Sequence, residues 1–197
     1  MKIESPFLLK SPISKEIISI LENTLDSVDS YAVVKNNINI TNEILSISDN
    51  AYPLCDFKRV YLIGAGKAAQ QMALGVKDKL KDHITSGLVV DKHIDKFMEK
   101  QLAPQIKTVI GNHPIPDKDS LESTRQLISL VHNLNSDDLV ICVISGGGSA
   151  LLTYPFEKIG LDSLQDITGK LLRCGAEISE INIIRKHLDK IKGGGLA

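Results

Sequence analysis

Tryptophan is absent from the 197 residues, and aromatic side chains make up only 4% of them. A surface that stacks nucleobases is therefore not expected, because such surfaces need several exposed rings. An excess of either charge is lacking too. The 23 basic and 24 acidic residues leave a formal net charge of −1, so no global field draws the chain to nucleic acid or an anionic membrane. Cysteine is scarce: Cys55, Cys142 and Cys174 are widely spaced, odd in number and outside any paired motif. That pattern excludes a disulfide framework and a cysteine-paired zinc site, and Cys142, inside an apolar run, reads as a small core residue. A long apolar segment is also missing from the opening stretch, MKIESPFLLKSPISKEII, which carries Glu4. Neither a signal peptide nor a membrane anchor is expected, and a reducing cytoplasm is the default location. Any affinity for anions must be local.

What is present suits one globular unit, with 43% hydrophobic and 24% charged residues, an ordinary balance for a packed core. Ile17, Ile20, Leu21, Leu25 and Val28 recur at helical spacing, predicting a helix over 13–28 started by Ser11-Pro12 or Ser14. A polar segment, 36–53, follows, with a short alternation at 44–47 that suits a minor hairpin. From residue 55 onward strands and helices alternate: strands at 59–64, 87–90, 106–111 and 138–144, helices at 67–80, through Leu121–Leu134, around Leu164–Leu172 and over 179–191. The 97–102 segment is ambiguous. The run DLVICVI is apolar on both faces, as a central parallel strand is. This order predicts a single α/β domain over 1–197, a three-layer α/β/α sandwich with a mostly parallel, Rossmann-like sheet. Four loops, at 64–67, 91–93, 111–117 and 145–149, follow strand ends, and in a parallel sheet those ends share one edge, where ligands gather.

Each loop carries chemistry. In GAGKAA, Gly64 and Gly66 let the backbone approach an anion, with a helix start beyond to offer N–H groups. Its Gly-x-Gly-x-x-Ala spacing suits a dinucleotide, with Asp91 as the acid for a ribose hydroxyl. Lys67 argues the other way: a mobile point charge suits a migrating phosphoryl group or a substrate carboxylate. A tight turn with a solvated lysine is the plainer reading. SGGGSALL is more specific. Gly146, Gly147 and Gly148, between the hydroxyls of Ser145 and Ser149, have a backbone free to wrap a ligand. In GNHPIPD, two prolines stiffen a loop that presents His113 and Asp117 as candidate base or orienting groups; a surface histidine bonded to its own loop is the alternative. In EINIIRKHLDKIKGGG, Asn182, Arg185 and Lys192 are candidate anion ligands, Arg185 and Asp189 are spaced as an i,i+4 pair, and a solvated basic face is the ordinary reading.

Taken together, GAGKAAQQMA, GNHPIPD, DLVICVISGGGSALL and CGAEISEINIIRKHLDKIKGGGLA resemble the glycerate 2-kinases that carry a C-terminal MOFRL domain, often mislabelled hydroxypyruvate reductases. The resemblance covers residues 55–197 well and the first fifty loosely. It implies ATP-dependent phosphorylation of D-glycerate to 2-phosphoglycerate with a divalent cation, Mg2+ by preference, and gives Lys67 the key active-site role. The mechanism expected from these residues has the Gly64–Gly66 and Gly146–Gly148 backbones cradle phosphate and carboxylate oxygens while Ser145, Ser149, Asn182 and Arg185 complete a polar wall. Two departures stand out. Gly195 occupies a position that is basic in the family pattern, and the relatives continue past Ala197 into the MOFRL domain and an arginine acting opposite the lysine. The 197 residues alone are thus expected to be weakly active or inactive, with a separate C-terminal domain or a homo-oligomer as possible partners and no nucleic acid or membrane among them. An NAD(P)-dependent hydroxypyruvate reductase and a non-catalytic anion-binding remnant are the alternatives.

Overall fold

In the computed structural model, which describes Ile3 and residues 12–197, eight α-helices and seven strands follow one another in chain order. Helices α1 (Pro12–Ser27) and α2 (Ser30–Asn37) precede an antiparallel meander of β1 (Ile38–Thr41), β2 (Ile44–Ile47) and β3 (Asn50–Pro53). The main sheet holds β4 (Arg59–Ala65), β5 (Ile84–Asp91), β6 (Ile106–Ile110) and β7 (Asp138–Ile144) in the order β6-β5-β4-β7, every neighbour parallel. Between and after them come α3 (Ala69–Leu80), α4 (Lys96–Gln101), α5 (Lys118–Val131), α6 (Gly148–Leu151), α7 (Gly160–Arg173) and α8 (Ile178–Leu188). The expected three-layer α/β/α architecture is what the chain adopts. The N-terminal residues before Pro12, including the proposed Ser11 start, lie outside the described residues apart from Ile3.

Alternation along the strands builds two cores. Val60, Leu62, Val89, Ile141 and Val143 point to one side and pack with Ala69, Ala73, Val76 and Leu80 of α3, joined by Ile38 and Leu45 of the meander. Ile63, Ala65, Leu88, Val90 and Val109 point to the other side, against Leu127 and Leu151. A bidentate pair, Arg59 Nε and NH2 to Asp138 Oδ1 and Oδ2 at 2.7 and 2.6 Å, joins β4 to β7 where the two strands begin.

Three expectations need correcting. First, β7 is an edge strand, not a central one. Its second apolar face carries exposed Val140, Cys142 and Ile144, so Cys142 is no core residue. Second, α1 forms as predicted, yet Ile17, Ile20, Leu21 and Leu25 on its apolar stripe are exposed, with Ile18 buried instead. Third, the polar 36–53 segment is a three-stranded meander preceded by a helix, α2, that the sequence pattern did not announce. Weak amphipathicity explains the omission: α2 has no fully buried residue, and Asp29 starts it by accepting the Ala32 N–H at 2.8 Å.

Candidate active site

β4 and β7 lie side by side in register, Gly64 beside Val143 and Ala65 beside Ile144. Their carboxyl ends therefore release two turns into the same space. Those turns are stapled together. Ser145 N donates to Ala65 O at 3.0 Å, Lys67 N to Gly146 O at 3.0 Å, and Ala68 N to Ser145 Oγ at 3.0 Å. Gly66 has φ of +139°, and a Cβ there would fall 2.0 Å from Ser145 Oγ; only glycine tolerates both the dihedral and the contact. Across the join, Gly147 adopts φ of +93° beneath the Lys67 side chain and the His113 ring; a Cβ on it would meet His113 Cδ2 at 3.1 Å and Lys67 Cε at 3.4 Å. Lys67, Gly147 and His113 thus form one cluster, although they come from loops after β4, β7 and β6. Lys67 is exposed, and among the described residues no carboxylate pairs with it.

The N–H groups are distributed unevenly between the turns. At the start of α3 they are already used: Ala68 N by Ser145, Ala69 N by Gly66 O at 3.1 Å, Gln70 N by Asp91 Oδ2 at 3.4 Å. The expected offer of free amides from this helix is therefore not made. Among the described residues, the amides of Gly146 and Gly147 donate to nothing. The triple-glycine turn holds the open donors; the GAGKA turn contributes a charged side chain.

Asp91 settles the dinucleotide alternative on physical grounds. It is 3% exposed, and its oxygens accept Lys92 N at 2.6 Å and Gln70 N at 3.4 Å. A carboxylate turned into the α3 start does not reach a ribose hydroxyl. Burial raises its pKa above the ordinary carboxylate value, and the bonds from Lys92 and Gln70 oppose that rise. Gln70, equally buried, completes the frame by accepting Asp95 N at 2.9 Å and donating to Thr108 Oγ1 at 3.4 Å. The sequence signal for this frame was thin, since a glutamine on an apolar helix face reads as surface.

The remaining candidates divide into two groups. His113 is half-buried, and burial first, then Lys67, Lys92 and Arg185, hold its pKa below the ordinary histidine value. Arg185 is 6% exposed on α8; its NH2 donates to Ser149 O at 2.8 Å, while its Nε is buried without a partner among the described residues. Burial lowers its pKa, with Asp189 opposing. These two converge on the Lys67 cluster. Asp117, by contrast, caps α5: it accepts Ser120 N at 2.9 Å in a reciprocal capping box. Lys192 is turned inward, donating to Leu152 O and Asp189 Oδ2 at 2.7 Å each. Asp189 therefore pairs with Lys192, not as a helix-surface partner of Arg185. Ser149 and Asn182 are exposed along a groove of about 860 Å³ beside the cluster. Gly195 sits where a Cβ would meet Lys190 O at 1.9 Å, so this fold of the 190–195 turn admits no side chain at the departing position.

Among the described residues, no group of three His, Cys, Asp or Glu side chains converges. The arrangement suits an anion: one mobile ammonium, one buried guanidinium, a histidine ring and open glycine amides. Ser145→Ala removes the acceptor of the Ala68 amide and is expected to lower stability by about 1 kcal/mol, checked by urea unfolding, while loosening the staple between the two turns.

Comparison with known proteins adds the following. Residues 16–197 match the family described as Domain of unknown function (DUF4147). A D-glycerate 2-kinase of Thermotoga maritima is 38% identical over 151 residues, which are 74% of this chain and 34% of that protein. A putative hydroxypyruvate reductase of Agrobacterium vitis is 40% identical over 139 residues, 71% of this chain and 31% of that protein. The crystal structure of a glycerate kinase from Thermotoga maritima superposes with a TM-score of 0.74 at 33% identity, over 92% of this chain and 40% of that one. The chain spans about a third to two fifths of the length of these relatives.

Proposed function

Because the chain belongs to the family described as Domain of unknown function (DUF4147), with kinases of glycerate among its relatives, we propose that it forms the anion-gripping part of an ATP-dependent D-glycerate 2-kinase. The observation that carries this reading is the position of Lys67. Its backbone is bonded to Gly146, its side chain lies over Gly147, and no carboxylate neutralises it among the described residues. A hydride-transfer site would instead use the α3 amides and Asp91, and both are already committed inside the fold.

The chemistry follows from the geometry. The Gly146 and Gly147 amides receive oxygens of a carboxylate or phosphoryl group. Lys67 offsets charge on the group in transfer, and Arg185, fixed through Ser149, adds a second cation behind the turn. The glycerate 2-hydroxyl attacks the terminal phosphate of ATP in line, the hydroxyl losing its proton as the new P–O bond forms and ADP leaves. Positioning and electrostatics supply most of the rate. Asp117 is committed to its helix cap, which leaves His113 as the base candidate of this loop. A divalent cation would be carried mainly by the nucleotide phosphates, where it neutralises charge; the described residues offer it no cage of their own.

The deciding test is a coupled assay for 2-phosphoglycerate from ATP and D-glycerate, run on this chain and on the chain joined to the part of a relative that it does not span. We expect turnover in the extended protein, little in the chain alone, and no oxidation of NADH by hydroxypyruvate in either. Loss of NADH absorbance would overturn the kinase reading in favour of a reductase.

His113 adds a pH signature. Its folded-state pKa lies below the ordinary value of 6.5, so on acidification the unfolded chain takes up a proton that the folded chain resists. Stability should therefore fall as pH drops below that value. Melting curves from about pH 7.5 to about pH 5.5 should fall less steeply for His113→Gln than for the wild type.

A further inference from the structure

Among the described residues, the main sheet is guarded on one edge and bare on the other. Edge strand β6 has five residues and carries Lys107. Edge strand β7 has seven, and from Leu139 to Ile144 not one is charged. Charged side chains are the usual guard against strand addition, and β7 lacks them. Its face is bare as well. Ile141 and Val143 are buried on the α3 side, whereas Val140, Cys142 and Ile144 alternate with them and are exposed, Ile144 by 63%. Helix α5 packs mainly on β5 and β6, and among the described residues nothing buries Val140, Cys142 and Ile144 of β7, so the helical layer on this side stops short of the last strand. The result is the groove of about 860 Å³, walled by β7, by Val131 and Leu134, by Leu152 and by Leu196. A continuous apolar surface of this kind on a sheet is a mark of association.

We infer that this face is a docking surface for one kind of partner: a polypeptide that pairs a strand with the free edge of β7 and lays an apolar helix face over Val140, Cys142 and Ile144. It is the kind of polypeptide carried by the three fifths or more of each relative that this chain does not span. Two observations favour it over a second copy of the chain. The relatives have ample additional length, and residues 191–197 already form one wall of the groove, so polypeptide joined there begins on it. One end of the groove is polar, with Ser149, Asn182 and Lys186, and adjoins the triple-glycine turn. The docked polypeptide thereby reaches the rim of the anion site. The inference does not depend on which metabolite binds there.

The three cysteines, all exposed, provide the measurement. N-ethylmaleimide is reacted with the 197-residue chain and with a chimera in which this chain replaces the matching part of the Thermotoga maritima D-glycerate 2-kinase. We expect Cys142 of the chain alone to be labelled, more slowly than Cys55 and Cys174 because burial pushes its thiol pKa up. In the chimera it should slow by at least about tenfold while Cys55 does not. Val140→Lys should leave the melting temperature of the chain alone within about 1 °C and restore labelling of Cys142 in the chimera. Unslowed labelling in a chimera with a cooperative melt overturns the inference. So does protection of Cys142 in the chain alone, which with a dimer by light scattering would make the occupant a second copy. A core-like loss of stability on Val140→Lys in the chain alone also overturns it, whether or not the chimera folds.

Discussion

Replacing Lys67 by alanine should cost about a thousandfold or more in 2-phosphoglycerate turnover by the extended protein, if it is the kinase proposed, a loss of about 4 kcal/mol in transition-state stabilisation. The fold should hardly notice. Lys67 is exposed, and its structural contribution is a backbone N–H to Gly146 O, which alanine keeps. The coupled 2-phosphoglycerate assay reads the first effect and a thermal melt the second. The contrast between them carries the information: a residue holding the turn in shape would lose stability along with activity. Lys67→Arg retains the charge but replaces a compact ammonium by a planar fork, and an intermediate rate is expected. In the chain alone, where turnover is expected to be small, the corresponding readout is calorimetric titration with 2-phosphoglycerate, and weaker binding by Lys67→Ala is the expected result. Undiminished turnover in the extended alanine variant would remove Lys67 from the mechanism.

The largest stability effect is expected at Asp189. Its side chain is fully buried, and it accepts from Thr153 Oγ1 at 2.8 Å, Tyr154 N at 3.0 Å, Ile191 N at 3.1 Å and Lys192 Nζ at 2.7 Å. Asp189→Ala strips all four donors of their acceptor and leaves the Lys192 ammonium, itself only 12% exposed, without its counter-charge. Breaking such a pair from one side costs about 3–5 kcal/mol. For a chain of this size that is a fall in melting temperature of roughly 10 °C, at about 2–4 °C per kcal/mol. Adding Lys192→Met should recover part of the loss, because the stranded charge goes too. A double variant no better than Asp189→Ala alone would show that the other donors, not the ion pair, dominate. Since Asp189 directly follows the helix that carries Arg185, and Arg185 holds Ser149 O, loosening this junction is also expected to disturb the second cation of the proposed anion site.

How legible the molecule was in its sequence depended on the range of the interaction concerned. The parallel core was readable because each strand carries its own apolar run and the turns after β4, β6 and β7 their own glycines, and both signals are local. The convergence of Lys67, Gly147 and His113 was also readable, since parallel strands must deliver their following loops to one edge. What escaped was the use to which each polar group was put. Asp117 and Lys192 have the chemistry of ligands, but the fold employs one as a helix cap and the other as the partner of a buried acid. Nothing in the spacing of Arg185 and Asp189 reveals that Thr153, far away in the chain, competes for the same carboxylate. Cys142 was misplaced for a related reason. An apolar run reports that both faces of a strand avoid water, not whether the cover for the second face comes from this chain.

The uneven supply of amides has one more consequence. The turn after β4 behaves as a fixed jaw, its N–H groups all committed before any metabolite arrives. The turn after β7 is the compliant jaw: Gly146 has empty space around the place a Cβ would take, and its amide and that of Gly147 are unclaimed. On the proposed function, adaptation to a flat carboxylate or a tetrahedral phosphoryl group would fall to that one short segment, while the Lys67 backbone stays tied to Gly146 O.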